Sequence, residues 1–142
     1  MIQRIQTIWL LLAALLGFLM TQIPLFVIRQ PNIERHMLAP ESYLLFAVCI
    51  GLALLAAGCI FLFRRRPLQF RLSVMGVIIA LILIALEIWK TGQYRTLYGT
   101  NLISSSYSWG ALLPIPIAIC FTLAARGIYK DEKLIKSQDR LR

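Results

Sequence analysis

The stretch of sequence that decides the fold is residues 43–63, YLLFAVCIGLALLAAGCIFLF. Its 21 consecutive residues contain no Asp, Glu, Lys, Arg or His. An α-helix needs roughly 17–25 apolar residues to cross the hydrocarbon core of a bilayer, which is about 30 Å thick. Backbone polar groups in lipid must form hydrogen bonds within their own segment, so this stretch predicts a membrane-spanning helix.

Three further apolar stretches, residues 8–28, 72–89 and 107–125, reach the same range of lengths. Among them only residues 72–89 contain a charged side chain, that of Glu87. We expect the first stretch to be a retained helix rather than a signal peptide, because it is about twice as long as a signal-peptide core and lacks a small-residue cleavage site. The sequence therefore predicts four membrane-spanning helices.

The composition agrees with a membrane protein. Of the 142 residues, 59% are hydrophobic and 15% are charged. A soluble domain of this size is usually less than half apolar and about a quarter charged. The surplus of apolar side chains excludes a soluble globular domain, and the length excludes a large multidomain enzyme.

The basic residues predict the orientation in the membrane. Eleven of the fifteen lie before the first stretch, between the second and third, or after the fourth, and the other four lie in the remaining connections. Cytoplasmic segments carry the excess of Lys and Arg, so we expect both termini in the cytoplasm. Because the connections are short, neighbouring helices should be antiparallel. The predicted fold is an all-α integral membrane protein with a single membrane domain, residues 1–142. It forms an up-down-up-down four-transmembrane-helix bundle, and its basic tail, residues 126–142, extends as a cytoplasmic helix.

Three segments resemble a known family. They are MIQRIQT at residues 1–7 with WLLLA at 9–13, FLFRRRPLQ at 61–69, and RGIYKDEKLIKSQDRLR at 126–142. Together they resemble the bacterial membrane-protein family catalogued as domain of unknown function 4293, over essentially the whole chain. The resemblance implies an inner-membrane protein with four helices, from bacteria that also have an outer membrane. The family has no assigned activity, so the resemblance implies no catalytic residues.

Glu87 is the strongest single candidate for a functional residue. An acid inside a membrane helix is costly and is a functional hypothesis by default. Lys90 follows three residues later on the same helical face, close to the predicted outer boundary. We favour an interfacial ion pair or inter-helix anchor, with proton or substrate handling as the alternative.

Small residues predict where helices approach one another. Ala13 and Gly17 form a small-xxx-small pair on the first helix, and Ala47, Gly51 and Gly58 form a stripe on the second. In lipid such residues let two backbones come close. We favour packing within the bundle over docking onto another membrane protein.

Two prolines, Pro114 and Pro116, lie in the fourth stretch. Each lacks a backbone N–H and disfavours helical geometry in the residue before it. A kink, or a broken outer end of this helix, is therefore expected.

The basic side chains of the cytoplasmic surface are candidates for contact with anionic lipid headgroups or with a protein partner, and these alternatives stay open. The residues are Arg64, Arg65, Arg66, Arg71, Lys130, Lys133, Lys136 and Arg140. Acidic residues interrupt the basic tail, so nucleic-acid binding is not expected.

The remaining residues offer little chemistry. The chain has one histidine, His36, which we expect to be an exposed loop side chain, and its three cysteines fall inside predicted spans without CxxC spacing. We therefore expect no metal, no cofactor and no catalytic motif.

Three classes of function follow. The first is a noncatalytic accessory or scaffold subunit of a larger membrane assembly, with a membrane-protein partner or as a homo-oligomer. The second is a small carrier or channel that uses Glu87 and the kink at Pro114 and Pro116. The third is an enzyme that modifies a lipid or quinone at the outer boundary, which would need a polar cavity there.

Overall fold

The protein is mostly helical. A computed structural model describes residues 3–29, 34–62, 65–98 and 104–139. In these residues the helices are α1 (Gln3–Leu19), α2 (Tyr43–Phe61), α3 (Arg66–Tyr98) and α4 (Pro114–Asp139). Three helical segments are long and apolar enough to cross a membrane, and α1 is apolar but shorter. The fold thus indicates a multi-pass membrane protein.

Helix α1 differs from the prediction at both ends. A helix was expected over residues 8–28, whereas α1 has 17 residues and ends at Leu19. The chain then turns, and the hydroxyl of Thr21 donates a hydrogen bond to the Phe18 carbonyl at 2.7 Å. Pro24 lies beyond the helix because it cannot donate the backbone hydrogen bond that a continuing helix requires. The apolar run continues past the helix into a strand.

A small antiparallel sheet, absent from the predicted all-α fold, forms from the end of the predicted first span and from the two predicted outer connections. Its strands are β1 (Phe26–Arg29), β2 (Glu34–Met37) and β3 (Ser104–Tyr107), in the order β2-β1-β3. The central strand carries the β-branched residues Val27 and Ile28, which suit a pleated surface. The sheet therefore joins the connection after α1 to the connection before α4.

Helix α3 is longer than the predicted 72–89, with 33 residues. Its last turns support the sheet, since Tyr94 packs against a small buried cluster of Phe26, Ile28 and Met37. The guanidinium carbon of Arg95 lies 5.6 Å from the centre of the Phe26 ring and 5.8 Å from that of Tyr107. Cation–π contacts and apolar packing thus dock the sheet on the end of α3.

Helix α4 combines most of the predicted fourth span with most of the predicted tail helix. It begins at Pro114, so both Pro114 and Pro116 lie in its first turn. Of the two expected outcomes, a kink or a broken outer end, the structure has the broken outer end, because proline is accommodated at the start of a helix, where its missing N–H has no intrahelical partner to lose. A 3₁₀ turn, Trp109–Leu112, takes the place of the predicted outer end.

The four helices pack in a ring. Each helix mainly contacts its two neighbours in the chain order, and α4 closes the ring by packing against α1. At one end of the bundle the backbone of Gly110 lies close to that of Pro24. A Cβ added at Gly110 would lie only 2.5 Å from the carbonyl oxygen of Pro24. We call this the sheet end. The opposite end, where α2 leads into α3, is the hairpin end.

Candidate functional site

Glu87 lies on the buried stripe of α3. Residues of this stripe recur every three or four positions, as expected for one face of a helix packed against its neighbours. Its buried members are Gln69, Ser73, Gly76, Ala80, Leu83, Glu87 and Thr91. Glu87 therefore faces the inside of the bundle rather than its rim.

The carboxyl group of Glu87 is enclosed at the sheet end. Its residue exposure is 6%, and its oxygen Oε1 is buried without a hydrogen-bond partner. A cavity of about 20 Å³ lies beside it, with Ser42, Thr91, Tyr94 and Tyr107 among its lining residues. A cavity needs about 10–15 Å³ to hold one water molecule. The site accommodates one small species beside a carboxylate, and it is far smaller than a quinone or a lipid headgroup.

The predicted ion pair between Glu87 and Lys90 is not formed. The ammonium of Lys90 donates a hydrogen bond to Oε1 of Gln93 at 3.2 Å and lies 5.1 Å from the centre of the Trp89 ring. These partners hold the amine away from the carboxyl group of Glu87, although both residues line the cavity at the sheet end. A spacing of three residues places Glu87 and Lys90 near each other on the helix, but it does not determine which group the lysine contacts.

A second and larger feature opens at the hairpin end. A cleft of about 650 Å³ is lined by residues of all four helices, including Gln6 and Leu11 of α1, Phe61 of α2, Arg66 of α3 and Asp131 of α4. Ligand pockets usually have volumes of about 300–1,000 Å³. We refer to this feature as the hairpin-end cleft.

The floor of the hairpin-end cleft contains a buried polar pair that sequence reasoning missed. The side-chain amide of Gln6 donates a hydrogen bond of 2.6 Å to Oδ2 of Asp131, and the exposures of the two residues are 6% and 8%. Gly127 leaves room for this arrangement, because a Cβ there would lie 2.8 Å from Cγ of Gln6. One signal existed in the sequence: Gln6 falls on the same helical stripe as the buried Leu10 and Ala13.

A second polar contact fixes the corner between α2 and α3. The side-chain amide of Gln69 donates a hydrogen bond to the backbone carbonyl oxygen of Cys59 at 3.0 Å. The Ser73 hydroxyl donates one to the backbone carbonyl oxygen of Gln69 at 2.9 Å. Gln69 thereby gives the carbonyl of Cys59, near the end of α2, a hydrogen-bond partner. Buried hydrogen bonds thus connect the helices at the hairpin end.

The small residues separate into two groups. Ala13 and Gly17 are buried, and a Cβ on Gly17 would lie 3.3 Å from Cβ of Ala53 in α2, so this pair packs inside the bundle as expected. On α2, however, Ala47 and Gly51 are exposed, and no heavy atom lies within 4 Å of a Cβ built at Gly51 or Gly58. The expectation that Ala47, Gly51 and Gly58 pack within the bundle is therefore wrong.

The candidate cationic residues fall around the hairpin end. Arg65, Arg71, Lys130 and Lys133 are exposed, whereas Arg66 is half-buried and lines the hairpin-end cleft. Arg64 and Arg140 lie outside the described residues, as does the side chain of Lys136, whose backbone belongs to α4. The structure thus distinguishes Arg66 from the others by its place in the cleft.

Metal-binding chemistry finds no support in the part of the chain that the structure describes. No group of three or more His, Cys, Asp or Glu side chains occurs there that could hold a metal ion. His36 is exposed on the strand β2 rather than in a loop, and Cys49, Cys59 and Cys120 are free and buried.

The comparisons with known proteins agree with the resemblance of the three segments. No curated protein and no solved structure matches the chain. One family model matches residues 2–141, and its description is "Domain of unknown function (DUF4293)". With nearly its whole length matched, the chain belongs to this uncharacterised family.

Proposed function

We propose that this protein is a noncatalytic subunit, an accessory or scaffold component, of a larger assembly in the bacterial inner membrane. The observation that carries the proposal is the outward-facing surface of α2. Gly51 and Gly58 have no heavy atom within 4 Å of a built Cβ, and Ala47 is exposed one turn before Gly51. In lipid, where the hydrophobic effect no longer drives helices together, small residues on a free face allow a further helix to approach closely.

The proposed topology is an up-down-up-down bundle of four transmembrane helices with both termini in the cytoplasm. It is supported by the gathering of Arg65, Arg66, Arg71, Lys130 and Lys133 around the hairpin end, which would then face the cytoplasm. Fusing a reporter that is active only in the periplasm to the C-terminus tests it. The fusion should be inactive, and an active fusion would refute the orientation.

The test of the scaffold role is a bulky substitution on the free surface of α2. Gly51→Leu fills the space that a partner helix would occupy but meets nothing within the chain, so it should release the protein from its assembly without lowering its melting temperature. Gly92→Leu is the matched control, since Gly92 is also exposed with no heavy atom within 4 Å of a built Cβ, but lies on α3.

The measurement is the particle mass of the native protein, extracted from its own membranes in a mild detergent. The wild type and Gly92→Leu should have the mass of an assembly, and Gly51→Leu that of a free chain. The measured mass also distinguishes a homo-oligomer from a complex with another protein. A wild type found only as a free monomer, or a Gly51→Leu variant that stays in the assembly, would refute the proposal.

A second candidate is a small carrier, favoured by the buried oxygen Oε1 of Glu87 beside its water-sized cavity. Ion flux into vesicles containing the purified protein, compared between wild type and Glu87→Gln, tests it. Flux that disappears in a normally folded Glu87→Gln variant would favour the carrier. The enzyme hypothesis has less support, because a cavity of about 20 Å³ at the sheet end does not admit a lipid or quinone headgroup.

A further inference from the structure

The hairpin-end cleft has apolar walls that open toward the side of the bundle. Ile8 and Leu11 of α1 and Phe61 of α2 line it, and their exposed fractions are 60%, 52% and 80%. In a protein that spans a membrane, side chains this exposed near the ends of spans contact lipid. The part of a ligand that lies along these walls must therefore be hydrocarbon.

The inner part of the same cleft carries two opposite charges. Arg66 contributes a guanidinium from the first turn of α3, and Asp131 contributes a carboxylate from α4. They form no ion pair with each other, since the carboxylate is held by the Gln6 amide at 2.6 Å. Both charges are therefore available to a ligand whose polar end bears an anion and a cation.

The depth of these groups in the bundle agrees with a headgroup site. Arg66 is the first residue of the candidate span Arg66–Leu97, and Phe61 is the last residue of the span Tyr43–Phe61. The charged part of the cleft and Phe61 thus lie where hydrocarbon gives way to headgroups, and the wall residue Leu11 lies five residues beyond Gln6 along α1, deeper in the bundle. This gradient matches an amphiphile oriented like the surrounding lipid.

We propose that the hairpin-end cleft binds a diacyl phospholipid with a phosphoethanolamine headgroup. Its phosphate contacts the guanidinium of Arg66, which suits the geometry of phosphate oxygens. Its primary ammonium contacts the carboxylate of Asp131, and one acyl chain follows Ile8, Leu11 and Phe61. An anionic phospholipid lacks the ammonium and would place further negative charge beside Asp131. This lipid site does not depend on the proposed role of α2 as a docking surface. It lies at a different surface, and its test measures lipid binding instead of assembly mass.

Native mass spectrometry of the delipidated, detergent-solubilised protein tests the proposal, with phosphatidylethanolamine and phosphatidylglycerol of identical acyl chains as probes. Both lipids carry a phosphate, so the contact of the ammonium with Asp131 is the one that distinguishes them, and one hydrogen bond to a charged group changes affinity about tenfold or more. The wild type should therefore bind phosphatidylethanolamine about tenfold more tightly than phosphatidylglycerol.

Variants assign the two contacts. Asp131→Asn keeps an oxygen that can accept the Gln6 hydrogen bond but removes the charge, so the preference between the two lipids should disappear. Arg66→Gln removes the phosphate contact, so binding of both lipids should weaken about tenfold. Arg126→Gln is the control for loss of positive charge, because Arg126 is exposed and does not line the cleft. It should leave both affinities unchanged.

Three results would overturn the proposal. The first is a wild type that binds phosphatidylglycerol as tightly as phosphatidylethanolamine, or binds neither. The second is an Asp131→Asn variant that keeps the wild-type preference. The third is equal weakening by Arg66→Gln and Arg126→Gln, which would indicate general attraction to the basic surface. If a variant fails to fold, the wild-type comparison of the two lipids still decides.

Discussion

The contact between Gly76 of α3 and Phe121 of α4 is the tightest inter-helix approach on which a substitution can be tested. A Cβ added at Gly76 would lie 2.5 Å from ring atoms Cδ1 and Cε1 of Phe121. Carbon atoms in favourable contact are about 3.5–4.0 Å apart, so the ring or the helix would have to move by about 1 Å. Phe121 is fully buried, at 0% exposure, so its ring can move only against surrounding protein.

The size of the effect follows from two opposing contributions. Replacing a glycine by alanine inside a helix stabilises it by roughly 0.5–1 kcal/mol, because alanine loses less backbone entropy on folding. Inserting a methyl group into a well-packed core costs roughly 1–3 kcal/mol. Gly92 on the same helix supplies a matched control, since an added Cβ there has no heavy atom within 4 Å. The entropy gain is common to both variants, so Gly76→Ala should be less stable than Gly92→Ala by about 1–3 kcal/mol.

The assay is reversible unfolding in mixed micelles as the fraction of a denaturing detergent increases. Both single variants are compared with wild type, and Gly76→Ala is also combined with Phe121→Leu to remove the ring that the new methyl group meets. The double variant should be more stable than the sum of the two single effects predicts. A Gly76→Ala variant as stable as Gly92→Ala, or strict additivity in the double variant, would refute the packing argument.

Three other perturbations have defined outcomes. Glu87→Gln removes a buried carboxylate whose oxygen Oε1 has no hydrogen-bond partner, and it should raise the melting temperature in detergent. Glu87→Ala leaves a cavity and should lower the melting temperature. The opposite order would count against the enclosed site. Arg95→Gln removes two cation–π contacts of roughly 0.5–1 kcal/mol each and should speed hydrogen exchange of the β1 amides, with Lys90→Gln as a control that does not. Gly110→Ala forces a Cβ to within 2.5 Å of the Pro24 oxygen and should make the sheet end susceptible to protease at lower temperature, and unchanged resistance would contradict that close approach.

The spans were predictable because the length of an apolar run is a physical requirement of the bilayer. For α2 the prediction, residues 43–63, agrees with Tyr43–Phe61 to within two residues at the described end. For α1 the same reasoning failed at its C-terminal end. Phe26 and Ile28 belong to the central strand of the sheet and are buried there, at 2% and 1% exposure, and hydropathy alone does not separate a short buried strand from the end of a helix.

Glu87 illustrates what periodicity adds to hydropathy. Its charge alone marked it as a candidate, and its spacing from Gly76, Ala80 and Leu83 places it on the face where small residues permit close helix packing. That spacing predicts burial and argues against an exposed pair with Lys90. The Gln6–Asp131 hydrogen bond joins residues 125 positions apart, and nothing in a single sequence selects one such pair among many.

The short α1 explains why this helical protein needs a sheet. At 1.5 Å per residue its 17 residues extend about 25 Å, some 5 Å less than the hydrocarbon thickness, so the chain leaves the helix while still inside the bundle. Met20, Thr21 and Leu25 beyond it are buried, and irregular backbone is tolerated at such a depth only where its polar groups have partners. The turn supplies the first of them, since the N–H groups of residues 20–23 bond to carbonyls of α1. The sheet supplies the next, because the Leu25 N–H donates to the Met37 carbonyl at 2.9 Å and its own carbonyl accepts from Ser108 at 3.0 Å. Strand pairing thus supplies hydrogen-bond partners to the chain beyond a short apolar helix, so opening the sheet should destabilise the α1 side of the bundle first.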